Sequence, residues 1–170
     1  MTAIGRDQPG IVAALSGALL DLEGNIEDSQ MSILRGHFAV MLLVTVPGEV
    51  GSRELSAHLD RVRDELGLEA VSVSPVDDLA TRAAQPSHVI TVYGADHPGI
   101  VHAVSAALAE RGVNIDGLET RLAGGPESPL YVMIIEVSVG EGHDLGEALR
   151  EVAREAGVEV SIRELGAEAL

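Results

Sequence analysis

The chain has 170 residues, 46% of them apolar and only 2% aromatic, and all eleven of its basic residues are Arg. Its 27 Asp and Glu leave a formal charge of −16, which repels a phosphate backbone and argues against direct DNA or RNA binding. Cysteine is absent, which excludes disulfides, zinc–thiolate sites and thiol catalysis; no apolar run approaches the roughly 20 residues of a membrane span and no signal peptide opens the chain, so a cytoplasmic protein is expected.

Thr2 to Gly5 reads as a short strand, and its position against the N-terminus suggests a truncated or frayed edge. From Pro9, apolar residues at 11, 12, 15, 18, 19 and 22 form one helical face, which Gly24-Asn25 ends. Ile26 to Leu34 and His37 to Val46 are rich in β-forming residues and meet at Arg35-Gly36, a tight hairpin turn. After a loop at Pro47 to Gly51, the stripe Leu55, Leu59, Val62, Leu66 predicts a second helix, stopped by Gly67 and followed by a strand from Leu68 to Val76. A polar stretch, DDLATRAAQPS, separates this βαββαβ unit from a second of the same order. There the strand His88 to Gly94 precedes a helix from Pro98 to Arg111. Strands at Asn114 to Ala123 and Leu130 to Val139 follow, then the stripe Leu145, Leu149, Val152, Ala156, a stop at Gly157 and a last strand from Val158 to Leu165.

The two units repeat in sequence as well as in order. Asp7, Pro9, Gly10, Ile11, Val12, Ala14, Ser16, Ala18, Leu19, Asn25 and Ile26 each meet the same residue 89 positions later. Most of this identity lies in a loop and the start of a helix, where it points to a backbone constraint, a site or a recent duplication. The expected fold class is α+β: two ferredoxin-like βαββαβ units, each a four-stranded antiparallel sheet with two helices on one face and the other face left to water or a partner. The expected domains are 1–77 and 88–170, joined by a linker at 78–87, and their small size favours a shared interface. Length differences fall in loops, the second hairpin being lengthened by GGPESP.

The motifs Asp7-Gln8-Pro9-Gly10-Ile11-Val12 with Asn25-Ile26, and Asp96-His97-Pro98-Gly99-Ile100-Val101 with Asn114-Ile115, resemble the ACT domain, a small amino-acid-sensing module of this topology. The stretch NIEDSQMSILRGHFAVMLLV, Asn25 to Val44, is similar to the glycine cleavage system transcriptional repressor family, which consists of two ACT domains. Other ACT-bearing proteins attach the module to an enzyme, such as phosphoserine phosphatase or formyltetrahydrofolate deformylase. Here only Gly166 to Leu170 follow the second unit, too few for a catalytic domain. The resemblance implies a non-enzymatic regulator that binds a small amino acid, with glycine a candidate. It would control a partner protein such as a transcriptional activator of glycine cleavage genes and form a homo-oligomer, a dimer being favoured.

The residues themselves allow that chemistry. Pro9 and Pro98 suit the first helical position, and Asp7 and Asp96 could accept hydrogen bonds from first-turn amides. Gly10 and Gly99 let a ligand come close, and a valine in their place should be tolerated by the helix. The free N–H groups at the positive end of the helix can hold a carboxylate, while Asp7, Asp96 or the amide oxygens of Asn25 and Asn114 could receive an ammonium. The resemblance implies a ligand between this loop of one unit and the second strand of its neighbour. It sets Asn25 and Ile26 opposite Asp96, His97, Pro98, Gly99 and Ile100, and Asn114 and Ile115 opposite Asp7, Gln8, Pro9, Gly10 and Ile11. Duplication of a helix start with no ligand explains the same loop identity, and on that alternative the chain is an oligomerisation module. Gln8 and His97 share one position, so the two sites need not be equal, though His97 also reads as a solvated loop histidine.

No cofactor or metal is expected: His97 and His102 are five apart, not the four that stack two ligands on a helix. His37, His58, His88 and His143 are scattered and read as exposed. Ser16 and Ser105 lie mid-helix with no His/Asp pair to activate them, and no Gly-rich stretch ends in Gly-Lys-Ser/Thr, so no catalytic residue is assigned.

Overall fold

The computed structural model describes residues 1–76, 85–125, 129–140 and 145–166. The chain divides into two compact units, Met1–Ala80 and Thr81–Leu170. The first runs β1 (Thr2–Arg6), α1 (Ile11–Leu20), β2 (Asn25–Leu34), β3 (His37–Thr45), α2 (Ser52–Leu66) and β4 (Ala70–Ser72). The second runs β5 (His88–Ala95), α3 (Ile100–Ala109), β6 (Asn114–Ala123), β7 (Leu130–Ser138), α4 (Gly146–Glu155) and β8 (Val158–Glu164). The strand orders are β2-β3-β1-β4 and β6-β7-β5-β8, every pair antiparallel. These are the two ferredoxin-like units read from the hydrophobic periods. The expected linker falls mostly outside the described residues, as does His143.

Alternation and helical stripe together make each core. In the first unit Ala3, Phe38, Val40 and Leu42 face Ile11, Leu15, Ala18 and Leu19 of α1 and Leu55, Leu59 and Val62 of α2. In the second, Ile90, Val92, Met133, Ile135 and Val137 meet Ile100, Val104, Leu108, Leu149 and Val152. Almost all the packing is aliphatic, as the composition demanded. Val12, counted in the first stripe, is instead 54% exposed, because it sits on the flank of α1 beside the edge strand β2. The opposite faces of both sheets keep apolar residues in view, among them Ile4, Leu34 and Met41 in one unit and Tyr93, Leu130 and Ile134 in the other.

Several local readings need correction. The first strand is no edge: β1 pairs with β3 on one side and β4 on the other, and its Ala3 is fully buried. It is short, however, and that shortens its partner. The ladder Ile4–Ala70, Ala3–Val71, Thr2–Ser72 ends where β1 ends, so β4 covers three residues instead of the expected Leu68 to Val76. In the second unit β5 has eight residues and β8 pairs along seven of them, from Gly94–Val158 to His88–Glu164. Neither His58 nor His88 is fully exposed. Both are half-buried, and the Nδ1 of His88 lies 2.9 Å from the Ser87 hydroxyl.

The hairpin turn follows its sequence. Arg35 and Gly36 both take positive φ, 50° and 80°, the pairing that matches the twist of two antiparallel strands. Gly5 and Gly94 have a different reason to be glycine. A Cβ on Gly5 would lie 2.8 Å from Leu68 Cδ2, and one on Gly94 only 2.6 Å from Val158 Cγ1. These glycines let the last strand of each unit close on the first, next to the loop that carries the repeated motif.

Candidate functional site

In both units the loop from the first strand enters its helix through a glycine. Gly10 (φ 99°, ψ −13°) and Gly99 (φ 103°, ψ −13°) are the N-caps of α1 and α3. Pro9 and Pro98 therefore lie before the helix, not at its first position. The glycines are required by their backbone conformation, so a branched residue there is strained, contrary to the expectation from helix propensity. A Cβ at either position would nevertheless meet nothing within 4 Å, so the space above each helix start is open.

Neither helix has a side-chain cap, so the Asp7 and Asp96 carboxylates do not take the capping role expected of them. The first-turn amides, which have no partner within an α-helix, are left to solvent or to a ligand. The buried Ile11 and Ile100 side chains, each 2% exposed, belong to the cores; what these residues can offer a ligand is the backbone. Asp7 is held differently, its N–H donating to the Gly36 carbonyl of the hairpin turn at 2.9 Å.

The varied position of the motif has one structural task in both units. Gln8 Nε2 donates to the Leu66 carbonyl at 2.6 Å. His97 Nε2 lies 2.7 Å from the Ala156 carbonyl, and its Nδ1 lies 3.1 Å from the Pro98 carbonyl. Leu66 is the last residue of α2 and Ala156 the C-cap of α4, where carbonyls lack an intrahelical donor. His97 is thus exposed but not merely solvated. The Pro98 and Ala156 carbonyls hold its pKa above the ordinary histidine value, with the Asp96 charge adding to the effect.

The expected second wall of the site begins each second strand. Asn25 and Asn114 open β2 and β6, and each strand then bulges, between Ile26 and Asp28 and between Ile115 and Gly117. The extra residue is acidic in both. Glu27 accepts from Asn25 Nδ2 at 3.0 Å and from the Thr45 hydroxyl at 2.8 Å; Asp116 accepts from Asn114 Nδ2 at 2.7 Å and from the Ser138 hydroxyl. The amide donor of each Asn is thereby engaged, which fixes the side chain and leaves its carbonyl oxygen as the group with capacity to spare. The Asn25 and Thr45 hydrogen bonds hold the Glu27 carboxyl below its usual pKa. Neither acid was singled out as a partner of the Asn, although Asn-Ile-Glu and Asn-Ile-Asp carry the signal: a carboxylate two positions after each Asn.

An open cleft of about 670 Å³ lies over the second loop, lined by Asp96 to His102 with Ser105 and Tyr131. It gathers five of the expected residues, Asp96, His97, Pro98, Gly99 and Ile100, and adds Val101, His102, Ser105 and Tyr131. Asn114 and Ile115 are not in its lining. A separate hollow of about 400 Å³ crosses the first sheet at Thr2, Asp28, Gln30, Met41 and Ser72, away from the loop. Among the described residues there is no group of three metal-ligating side chains, and no helix is long and apolar enough to cross a membrane.

Residues 1–73 match one ACT-domain family and residues 88–156 another. A UPF0237 protein of Methanopyrus kandleri is 38% identical over 72 residues, 42% of this chain and 80% of its own length. The phosphoserine phosphatase of Streptomyces coelicolor is 30% identical over 161 residues, 93% of this chain but 38% of its own length; the chain thus spans about two fifths of that enzyme. Among solved structures, a protein of unknown function from Galdieria sulphuraria is 31% identical, with TM-score 0.75 and coverage of 97% of this chain and 96% of that one. A candidate glycine cleavage system transcriptional repressor shares the fold at TM-score 0.64 and 18% identity, covering 96% of this chain and 94% of its own. With both units matched and little of the chain left over, the protein belongs to the ACT-domain family as a tandem pair of ACT domains.

Proposed function

We propose that this chain is a non-enzymatic, cytoplasmic amino-acid sensor. A small amino acid binds at each repeated loop, its carboxylate on the first-turn amides above Gly10 or Gly99 and its ammonium on the Asn25 or Asn114 carbonyl oxygen of a neighbouring ACT unit. The bound state favours one packing of the units, and a protein partner reads that packing by linkage. The partner in this reading is a transcriptional activator, and glycine is the first ligand to test, in keeping with the candidate repressor that shares the fold. The supporting observation is that both helix starts combine a positive-φ glycine, open space and no side-chain cap.

A thermal-shift screen against the individual amino acids tests it. A true ligand at 100 times its dissociation constant contributes about 2.7 kcal/mol and raises the melting temperature by several degrees. No shift with any amino acid favours the second reading, an oligomerisation module. That reading draws on the exposed edge strand β2, whose Met31, Ile33 and Leu34 lie open.

A further inference from the structure

We propose that His97 is a pH-operated latch that ties the second loop to the end of α4, and that Gln8 is its pH-independent counterpart in the first unit. The inference goes beyond the sensing role and stands whether or not an amino acid binds. It rests on geometry. One motif position sends a side-chain donor to a carbonyl at the C-terminal end of the second helix in both units, at 2.6 Å from Gln8 and 2.7 Å from His97. An amide can make that bond at any pH. The imidazole faces two carbonyl oxygens, Ala156 at one nitrogen and Pro98 at the other. A carbonyl only accepts, so both bonds require both ring nitrogens to carry protons, which is the imidazolium. Deprotonation turns one N–H into a lone pair directed at an oxygen and loosens the loop.

The surroundings favour the charged ring. Asp96 on the same loop draws it by charge, and Ala156 caps the C-terminal, negative end of α4. The last turns of α4 carry Glu151 and Arg154, 3.9 Å apart, and Glu155. His102 of α3 and Tyr131 of β7 share the cleft with His97, and Glu159 of β8 stands opposite Tyr93 of β5. Because the folded pKa is raised, the latch is closed below the ordinary histidine value of about 6.5 and opens as pH rises through the pKa of His97. Only the second loop responds, so pH makes the two halves of the tandem unequal.

The test uses the full chain without any ligand. Side-chain NMR titration should show His97 titrating above the ordinary histidine value of about 6.5, and amide-exchange protection of residues 95–100 should fall as pH passes that midpoint. Protection of residues 6–11 should not change over the same range. His97→Gln should keep residues 95–100 protected and remove their pH response, and Gln8→His should confer that response on residues 6–11. The proposal is overturned if His97 titrates at or below the ordinary histidine value, or if protection of residues 95–100 is the same on both sides of its midpoint. It is equally overturned if His97→Gln leaves the pH response in place. The wild-type titration decides the matter even if a variant fails to fold.

Discussion

A single glycine separates a helix-start reading from a site reading at each loop, and its φ decides what a substitution means. Because Gly10 and Gly99 sit near φ +100°, Gly99→Val should cost about 1–3 kcal/mol through strain at the N-cap. Urea unfolding of the full chain will measure it, and Gly10→Val should behave alike. A loss of binding in these variants is therefore interpretable only beside their stability. Gly94→Ala should also destabilise, by about 1–3 kcal/mol, since its new methyl would overlap the Val158 side chain; Val158→Ala in the same chain should recover part of the loss. The sequence carried the identity of these glycines but not their conformations. Pro-Gly before an apolar stripe is compatible with a helix starting at Pro9, and only the backbone reveals that the helix begins two residues later.

At the scale of elements, legibility followed periodicity. The stripes of α2 and α4 and the alternation of β3 and β7 are visible in the sequence because each element buries one face in a small aliphatic core. Leu59 and Leu149 sit at the centres of the two α2 and α4 stripes, 0% and 3% exposed. Truncating either to Ala should cost about 2–5 kcal/mol, read as a lower denaturant midpoint. The length of β4 was not legible, because it depends on how far β1 reaches and not on residues 68–76 themselves. The bulges of β2 and β6 were hidden for a related reason: one extra residue shifts the register without breaking the apolar pattern. Their acids predict a pH effect. Glu27 is depressed by Asn25 and Thr45, so its stabilising contribution is present above the unfolded glutamate pKa and is lost as pH falls through the folded one. Glu27→Gln should flatten that part of the acid-unfolding profile of the wild-type chain.

For the molecule as a whole, the −16 charge limits which partners the proposed regulatory role can use. Direct contact with DNA is disfavoured by electrostatics, and a gel shift at physiological salt should show no retention by the purified chain alone. Tight, salt-sensitive retention would refute that expectation. The proposed role therefore runs through a protein partner, and it stands or falls on whether the loops bind an amino acid. The loop motif was legible because it is repeated, and its two-residue signature at Asn25 and Asn114 because it is repeated too. The latch at Gln8 and His97 was concealed by its own variation, since two different residues meet the same carbonyl. Calorimetric titration of the full chain with glycine and the other small amino acids tests the central claim most directly. The account predicts saturable heat with at least one of them, lost when Asn25→Ala and Asn114→Ala are combined in a chain whose circular dichroism is unchanged. A flat titration with every amino acid would contradict it.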